Sequence, residues 1–511
     1  MSLDTFSNGI VGMLAGFVSL GFLTGCISLE PSAKEPTVVH EMPDEYEISG
    51  ELAEYVPLNW WAIFNDSILN QLVDSALVAN LDLVEAVARL DEVRANLRVT
   101  RASSFPAVTA SGSVSHQDSP ANTGTAALFA SVGGDSTGGP GISRFNTTTY
   151  SSSIGFSYEL DFWGKIRNDT RAAIRDAMSS EADLETVRLG IISETISTYF
   201  EIVDLRDRIE LGVSTLDVLT ERVSQAQERY DRGLVSSFEL YQLRQDFRNT
   251  QASLPDLESQ LTDAEGRLAV LLGTYPGNAR QFLLSDLRPT LSFDPVPPGL
   301  PAHLLVQRPD VRAAGLRFES ARFRVGARRA ELFPSLSLNG SAGTSSGDMA
   351  GLLDAADQWT LNLAGGLTAP LFQGGRLRAS VSVAKARYEQ QAAVYARTVL
   401  TAFQESVSAL DRHANERRRY NFFLAQLEEA EASADLQARR YRSGLVGYSD
   451  YLDALRTVFQ VRTSLSAAGR QLAMARLGVH RSLGGGWADS AIAPKLELVK
   501  SKETALRNPD Q

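Results

Sequence analysis

Cysteine occurs once in this chain, at position 26, which excludes a disulfide framework and any zinc site built from several thiolates. Histidine is nearly as scarce: His40, His116, His303, His413 and His480 are scattered and make no HExxH pair. Basic charge is short as well. Against 61 acidic residues stand 49 Lys and Arg, a formal net charge of −12, so a sequence-independent nucleic-acid binder is excluded. An apolar run from Ile10 to Gly25 is shorter than the roughly 20 residues that cross a bilayer as a helix. Proline is missing between Pro140 and Pro255 and again between Pro370 and Pro494. No phosphate loop is present, since Gly484-Gly485-Gly486-Trp487 lacks the lysine and hydroxyl, and no Cys/His constellation argues for an enzyme or a cofactor. Apolar residues make 43% of 511, an ordinary folded composition spread over more length than one compact domain uses.

What the chain does contain is an internal repeat. Arg101-Ala102-Ser103-Ser104-Phe105-Pro106 recurs as Arg329-Ala330-Glu331-Leu332-Phe333-Pro334, and Asp161-Phe162-Trp163-Gly164-Lys165-Ile166-Arg167 loosely as Phe372-Gln373-Gly374-Gly375-Arg376-Leu377-Arg378. Arg229-Tyr230-Asp231-Arg232-Gly233-Leu234-Val235 recurs as Arg440-Tyr441-Arg442-Ser443-Gly444-Leu445-Val446, and Arg267-Leu268-Ala269-Val270 as Arg476-Leu477-Gly478-Val479. Four landmarks in one order indicate duplication of a whole structural unit.

Each unit switches period from helix to strand and back. Alternation of apolar with small polar residues predicts strands at about 107–116, 147–161, 335–343 and 359–371, a sheet with one greasy and one wet side. Strands near ten residues fit a tilted membrane span, yet four cannot close a barrel, and open edges in lipid leave backbone groups unpaired. In a membrane such a sheet must meet copies of itself, as dimer, trimer or tetramer; in water it would be a half-buried antiparallel sheet whose greasy face covers a core. Gly/Ser/Thr-rich stretches, Gln117 to Asn146 and Thr344 to Asp357, read as mobile surface loops with little to bury. The proline-free tracts carry apolar residues at steps of three and four, such as Leu216, Leu219, Val223, Ala226 and Tyr230. Lys165 to Arg232 as one helix would reach about 100 Å at 1.5 Å per residue. Glycine ends each stripe at Gly233 and Gly444, and a second helix follows, so antiparallel hairpins are expected with tips at 233–236 and 443–448. Pro255 is expected to break or kink the return helix.

At the N-terminus, an apolar run ending Leu23-Thr24-Gly25-Cys26 reads as a signal peptide, 1–25, and resembles the bacterial lipobox. That resemblance makes Cys26 an acylated anchor, although Asp4 is the only charged side chain ahead of it.

From Asn59-Trp60-Trp61 to Gly484-Gly485-Gly486-Trp487 the chain resembles the TolC-like outer-membrane efflux family, in its lipidated NodT-type branch. The resemblance is most specific in Leu304-Leu305-Val306-Gln307-Arg308-Pro309-Asp310-Val311-Arg312-Ala313-Ala314, with Leu254-Pro255-Asp256-Leu257 and Leu268-Ala269-Val270-Leu271-Leu272-Gly273 beside it. It implies a mixed, mainly α fold: a trimeric outer-membrane β-barrel with four strands per chain, continued by a long periplasmic α-helical barrel. It divides the chain into a lipidated periplasmic segment (26–65), a first repeat (66–274), a Pro-rich linker (275–302), a second repeat (303–487) and a tail (488–511). The partners implied are two further copies, outer-membrane lipid, a periplasmic adaptor and an inner-membrane pump of the RND type. Adaptor docking falls on Gly233, Leu234, Val235, Gly444, Leu445 and Val446. The channel aperture falls on Asp450, Asp453, Tyr441 and Glu239, two carboxylates three residues apart sharing one helix face. Val446 stands where the best-known relative has a latching arginine, and Arg442 is the expected substitute. A duct for protein secretion, or a lipid-anchored coiled-coil scaffold, are the alternative readings.

Overall fold

A computed structural model describes residues 29, 31, 59–120, 144–278, 308–354 and 356–485. Cys26, the signal peptide, the linker's residues 279–302 and the tail lie outside these. The chain divides into two compact units, and no described helix is long and apolar enough to cross a membrane.

Duplication is visible in element lengths. A 3₁₀ turn (Trp60–Phe64) and α1 (Ser67–Ala79) lead into α2 (Leu81–Ala102), β1 (Ala107–Pro120), β2 (Arg144–Leu160), α3 (Lys165–Asp231) and α4 (Ser237–Leu271). The second copy follows as α5 (Pro309–Ala330), β3 (Ser335–Ser346), β4 (Trp359–Thr368), α6 (Arg376–Arg442) and α7 (Tyr448–Ser482). α2 and α5 each have 22 residues, α3 and α6 each 67, and α4 and α7 each 35.

The unit formed by residues 93–177 and 317–392 holds the sheet. Its order is β1-β2-β3-β4, all neighbours antiparallel, so β1 and β4 are its two edges. Register puts the apolar residues on one face: Val108 opposes Phe156, which opposes Gly340, which opposes Leu363. Phe156 lies over Gly340, where an added Cβ would stand 2.3 Å from its ring. That apolar face is bare, with Val108 69%, Leu363 67% and Leu367 72% exposed. The opposite face is a hydroxyl surface, knitted by Ser111–Ser153 at 3.0 Å and Ser113–Ser151 at 2.7 Å. The strands outrun their expected ends at Pro120 and Arg144, because Ser and Thr pair along the ladder as readily as the apolar positions do. The β3–β4 connection is less loose than its composition suggests: Gly351–Leu353 form a 3₁₀ turn, and Thr344 Oγ1 donates to the Leu352 carbonyl at 2.9 Å. Where the strands give way to helices, two repeat landmarks meet. Trp163 donates its Nε1–H to the Pro334 carbonyl at 2.8 Å and stacks on Phe333.

The other unit holds the main core. Trp60, Trp61 and Phe64 plug it together with Leu69, Leu72 and Val73 of α1. They pack on Ile191 to Leu205 of α3, Leu257 to Ala269 of α4 and Leu472 to Leu477 of α7. Asp66 caps α1 by accepting from Ile68 N–H at 2.9 Å and also takes the Tyr199 hydroxyl hydrogen. The Arg-Pro-Asp motif is structural here. Pro309 opens α5, and the buried Arg308 guanidinium donates to the Ser482 carbonyl at 3.0 Å, satisfying the C-terminus of α7. Its other partners are Asp310 and Glu405, both at 2.8 Å. Burial pushes the Asp310 carboxyl up, but the Arg308 hydrogen bonds and charge outweigh it and hold it below its usual range.

Pro255 does not break α4, which runs on to Leu271. Its fixed φ suits a helix, so the losses are one hydrogen bond and a clash with the preceding turn, about 3 kcal/mol in isolation. Packing on both sides offsets them. Leu254 nests on Gly212, where a Cβ would come within 2.7 Å of its Cδ2, and Leu257 enters the main core.

Candidate functional site

The two hairpin ends are built alike. At the first, Gly233 has φ +72°, its N–H donates to the Tyr230 carbonyl at 2.8 Å, and Leu234 N–H donates to the Arg229 carbonyl at 2.8 Å. At the second, Gly444 has φ +72°, with Gly444 to Tyr441 at 3.0 Å and Leu445 to Arg440 at 2.9 Å. Both are glycine-terminated helices closed by back-bonding, which a residue with a Cβ would strain. Leu234 and Leu445 point into solvent at 66% and 75% exposure, while Val235 and Val446 are half-buried.

Beside the tips, α3, α4, α6 and α7 enclose a small core of Leu219, Ala226, Leu240, Leu243, Tyr448, Tyr451 and Leu452. Tyr441 covers it, stacked on Tyr451 at 6.0 Å and edge-on to Tyr448 at 5.3 Å. Arg229 reaches across from α3, donates to the Tyr441 hydroxyl and lies 5.6 Å from its ring centre. Arg222 sits over Tyr451 in the same way, at 5.6 Å. Burial raises the Glu239 carboxyl above its ordinary pKa, and the Arg229 charge opposes it.

Arg442, the expected substitute for a latch, stays on its own helix and donates to the Ala438 carbonyl at 3.2 Å. The guanidinium that meets Tyr441 is Arg229. Composition hides this, because the two residues are 212 positions apart and only the fold brings them together.

Asp450 and Asp453 lie exposed on the first turns of α7, where the helix dipole favours negative charge. Asp453 accepts from Arg456 at 3.1 Å, and Arg456 also donates to Asp246 of α4, its Nε at 3.1 Å. Arg456 therefore clamps α7 to α4 beside a cavity of about 190 Å³ lined by Leu219, Arg222, Asp246, Tyr448 and Arg456. Sequence reasoning missed this clamp. Burial raises the Tyr448 hydroxyl's pKa, and that hydroxyl has no hydrogen-bond partner among the described residues. Among those residues no three His, Cys, Asp or Glu side chains gather to hold a metal ion.

A sheet that leaves most of its apolar face exposed, joined in sequence to duplicated long helical hairpins, defines the class: a subunit of an outer-membrane channel with a helical extension. The sequence model of the outer membrane efflux protein family matches residues 72–274 and 300–485, and the chain belongs to that family. It is 32% identical to the toluene efflux pump outer membrane protein TtgC of Pseudomonas putida, over 84% of this chain and 85% of that protein. It is 31% identical to the antibiotic efflux pump outer membrane protein ArpC of Pseudomonas putida, over 91% of this chain and 94% of that protein. Among solved structures, the CmeC outer membrane channel of Campylobacter jejuni superposes with a TM-score of 0.83 at 26% identity, covering 93% of this chain and 98% of that one. The protein is thus an efflux channel of the outer membrane, with its sheet as the membrane part.

Proposed function

We propose that three copies close one twelve-stranded barrel, the β4 edge of each pairing with the β1 edge of the next, and that their hairpins form one helical tube. The observation that carries this is the bare apolar face of a sheet with two open edges, which lipid would punish at several kcal/mol per unpaired group. Gly233-Leu234-Val235 and Gly444-Leu445-Val446 dock a periplasmic adaptor, itself seated on an inner-membrane pump. Two matching tips with exposed leucines supply the same apolar knob twice. Cys26 carries the lipid. Supporting this, the apolar run ends in Leu23-Thr24-Gly25-Cys26, which resembles a lipobox.

Threefold symmetry gathers Asp450 and Asp453 around the narrow end of the tube, with Tyr441, Glu239 and Arg229 behind them holding it closed. Rings of carboxylates favour cations. The cargo is small organic compounds, as the names of the toluene and antibiotic relatives indicate for those proteins. In planar bilayers the wild-type channel is expected to prefer cations, and Asp450→Ala with Asp453→Ala to lose most of that preference. Unchanged conductance and selectivity would remove both residues from the aperture.

A further inference from the structure

We infer that Arg440 of one copy clasps Tyr230 of the next, repeating between chains the contact that Arg229 and Tyr441 make within one. The inference rests on the trimeric tube proposed above and adds residues to its seams. Counted from the helix starts, residues of the second hairpin lie 211 positions after their counterparts, as Arg376 follows Lys165 and Tyr448 follows Ser237; this pairs the buried Leu268 with the buried Val479 and shifts the Arg267 and Arg476 landmark, 209 apart in sequence, by two. Three copies of two equal hairpins form a ring of six, in which the seam inside a chain and the seam between chains are built from equivalent helix faces.

Beside the tips, three contacts cross the inner seam: Arg229 with Tyr441, Arg222 with Tyr451, and Arg456 with Asp246. Moved by one hairpin, the second becomes Ser433 facing Leu240 and the third becomes Gln245 facing Thr457, neither of which can reproduce the interaction. The first becomes Arg440 facing Tyr230, with both residue types kept. Both side chains are exposed, Tyr230 at 42%, and neither has a side-chain hydrogen bond, ion pair or ring contact among the described residues of its own chain. A guanidinium and a phenol at corresponding positions, both unoccupied, are what a ring of copies would bring together. The seam between chains is then held by the clasp without the tyrosine cluster and the charge clamp.

The test joins Arg440→Cys with Tyr230→Cys in the full-length chain, treats the detergent-purified protein with a short bis-maleimide, and runs it denatured. The wild-type chain, whose one cysteine is Cys26, gives the background. Cross-linked dimers and trimers are expected, whereas Arg229→Cys with Tyr441→Cys is expected to link within a chain and give no ladder. Native mass separates the outcomes. A trimeric cysteine pair without a ladder overturns the clasp alone, and a monomeric wild-type chain overturns the clasp and the trimeric tube together. Should the cysteine pair fail to assemble, Arg440→Gln and Tyr230→Phe are compared singly and together for the denaturant midpoint of trimer dissociation. A double variant no weaker than the weaker single one supports the clasp, and simple additivity overturns it.

Discussion

The two hairpins are equal in length and differ in chemistry, and the difference assigns them different work. The first ends on Ser236, whose hydroxyl accepts from Glu239 N–H at 3.4 Å, and its return helix begins with Phe238 and Tyr241 exposed. The second ends on Gly447, which offers no side-chain cap, and its return helix turns Tyr448 and Tyr451 inward and carries Arg456. The first hairpin end is thus side-chain-capped, while the second carries the tyrosine core and the charge clamp. The divergence continues far from the tip. His413 and His480 of the second hairpin are buried with no hydrogen-bond partner for either Nε2 among the described residues, and their counterparts in the first, 211 positions earlier, are Ile202 and Ala269, both buried. His480 stacks on Trp60 of the N-terminal plug at 5.2 Å.

That contrast gives the largest expected effect. Burial, with the Arg476 charge beside both rings, lowers His413 to about 4 and His480 to about 3. Arg417 adds to the first, His413 adds to the second, and no acidic group is among the causes. In the unfolded chain both imidazoles take up protons near 6.5, so below that pH the unfolded state binds more protons than the folded one. Stability is complete above that value and falls as pH drops, by up to about 1.4 kcal/mol per pH unit for each ring. Unfolding midpoints between pH 7 and 4 check it, and His413→Leu with His480→Phe should flatten the slope. A slope unchanged by that pair would mean other groups set the acid limit.

Next in size is the charge clamp. Arg456→Ala leaves Asp246, mostly buried, without its guanidinium, a loss of about 1–2 kcal/mol after allowance for a partly hydrated arginine. The closed state is thereby weakened roughly 5- to 30-fold. More frequent openings in planar bilayers are expected, while Gln245→Ala, at the corresponding position of the first hairpin, should change nothing. Smallest are the caps. Ser236→Ala should cost about 1 kcal/mol and Gly447→Ser should return a few tenths, both read from thermal midpoints; equal effects at the two sites would erase the difference between the two hairpin ends at this level.

Much of this was legible in the sequence, because it is written in local period. Alternation from Val108 and from Ile154 gave strands, and the glycines at 233 and 444 gave tips. What stayed hidden depends on residues distant in sequence. Arg229 meets Tyr441, and Arg456 meets Asp246, 210 positions away, and nothing in either neighbourhood reports its partner. Arg442 is the expected substitute for the arginine missing at Val446, but its side chain stays on its own helix, since neighbours on a helix do not face each other. Pro255 misled for the same reason: its local penalty is plain, and the packing that offsets it, Leu254 on Gly212, is not. Trp60-Trp61 served only to mark where the family resemblance begins, and the fold makes it the plug of the main core.

Completion of the bare sheet by copies of the same chain is the claim on which the channel depends. Its most direct test is the native mass of the intact, detergent-extracted protein: three chains is the predicted result, and a single chain that stays in solution without detergent would contradict it.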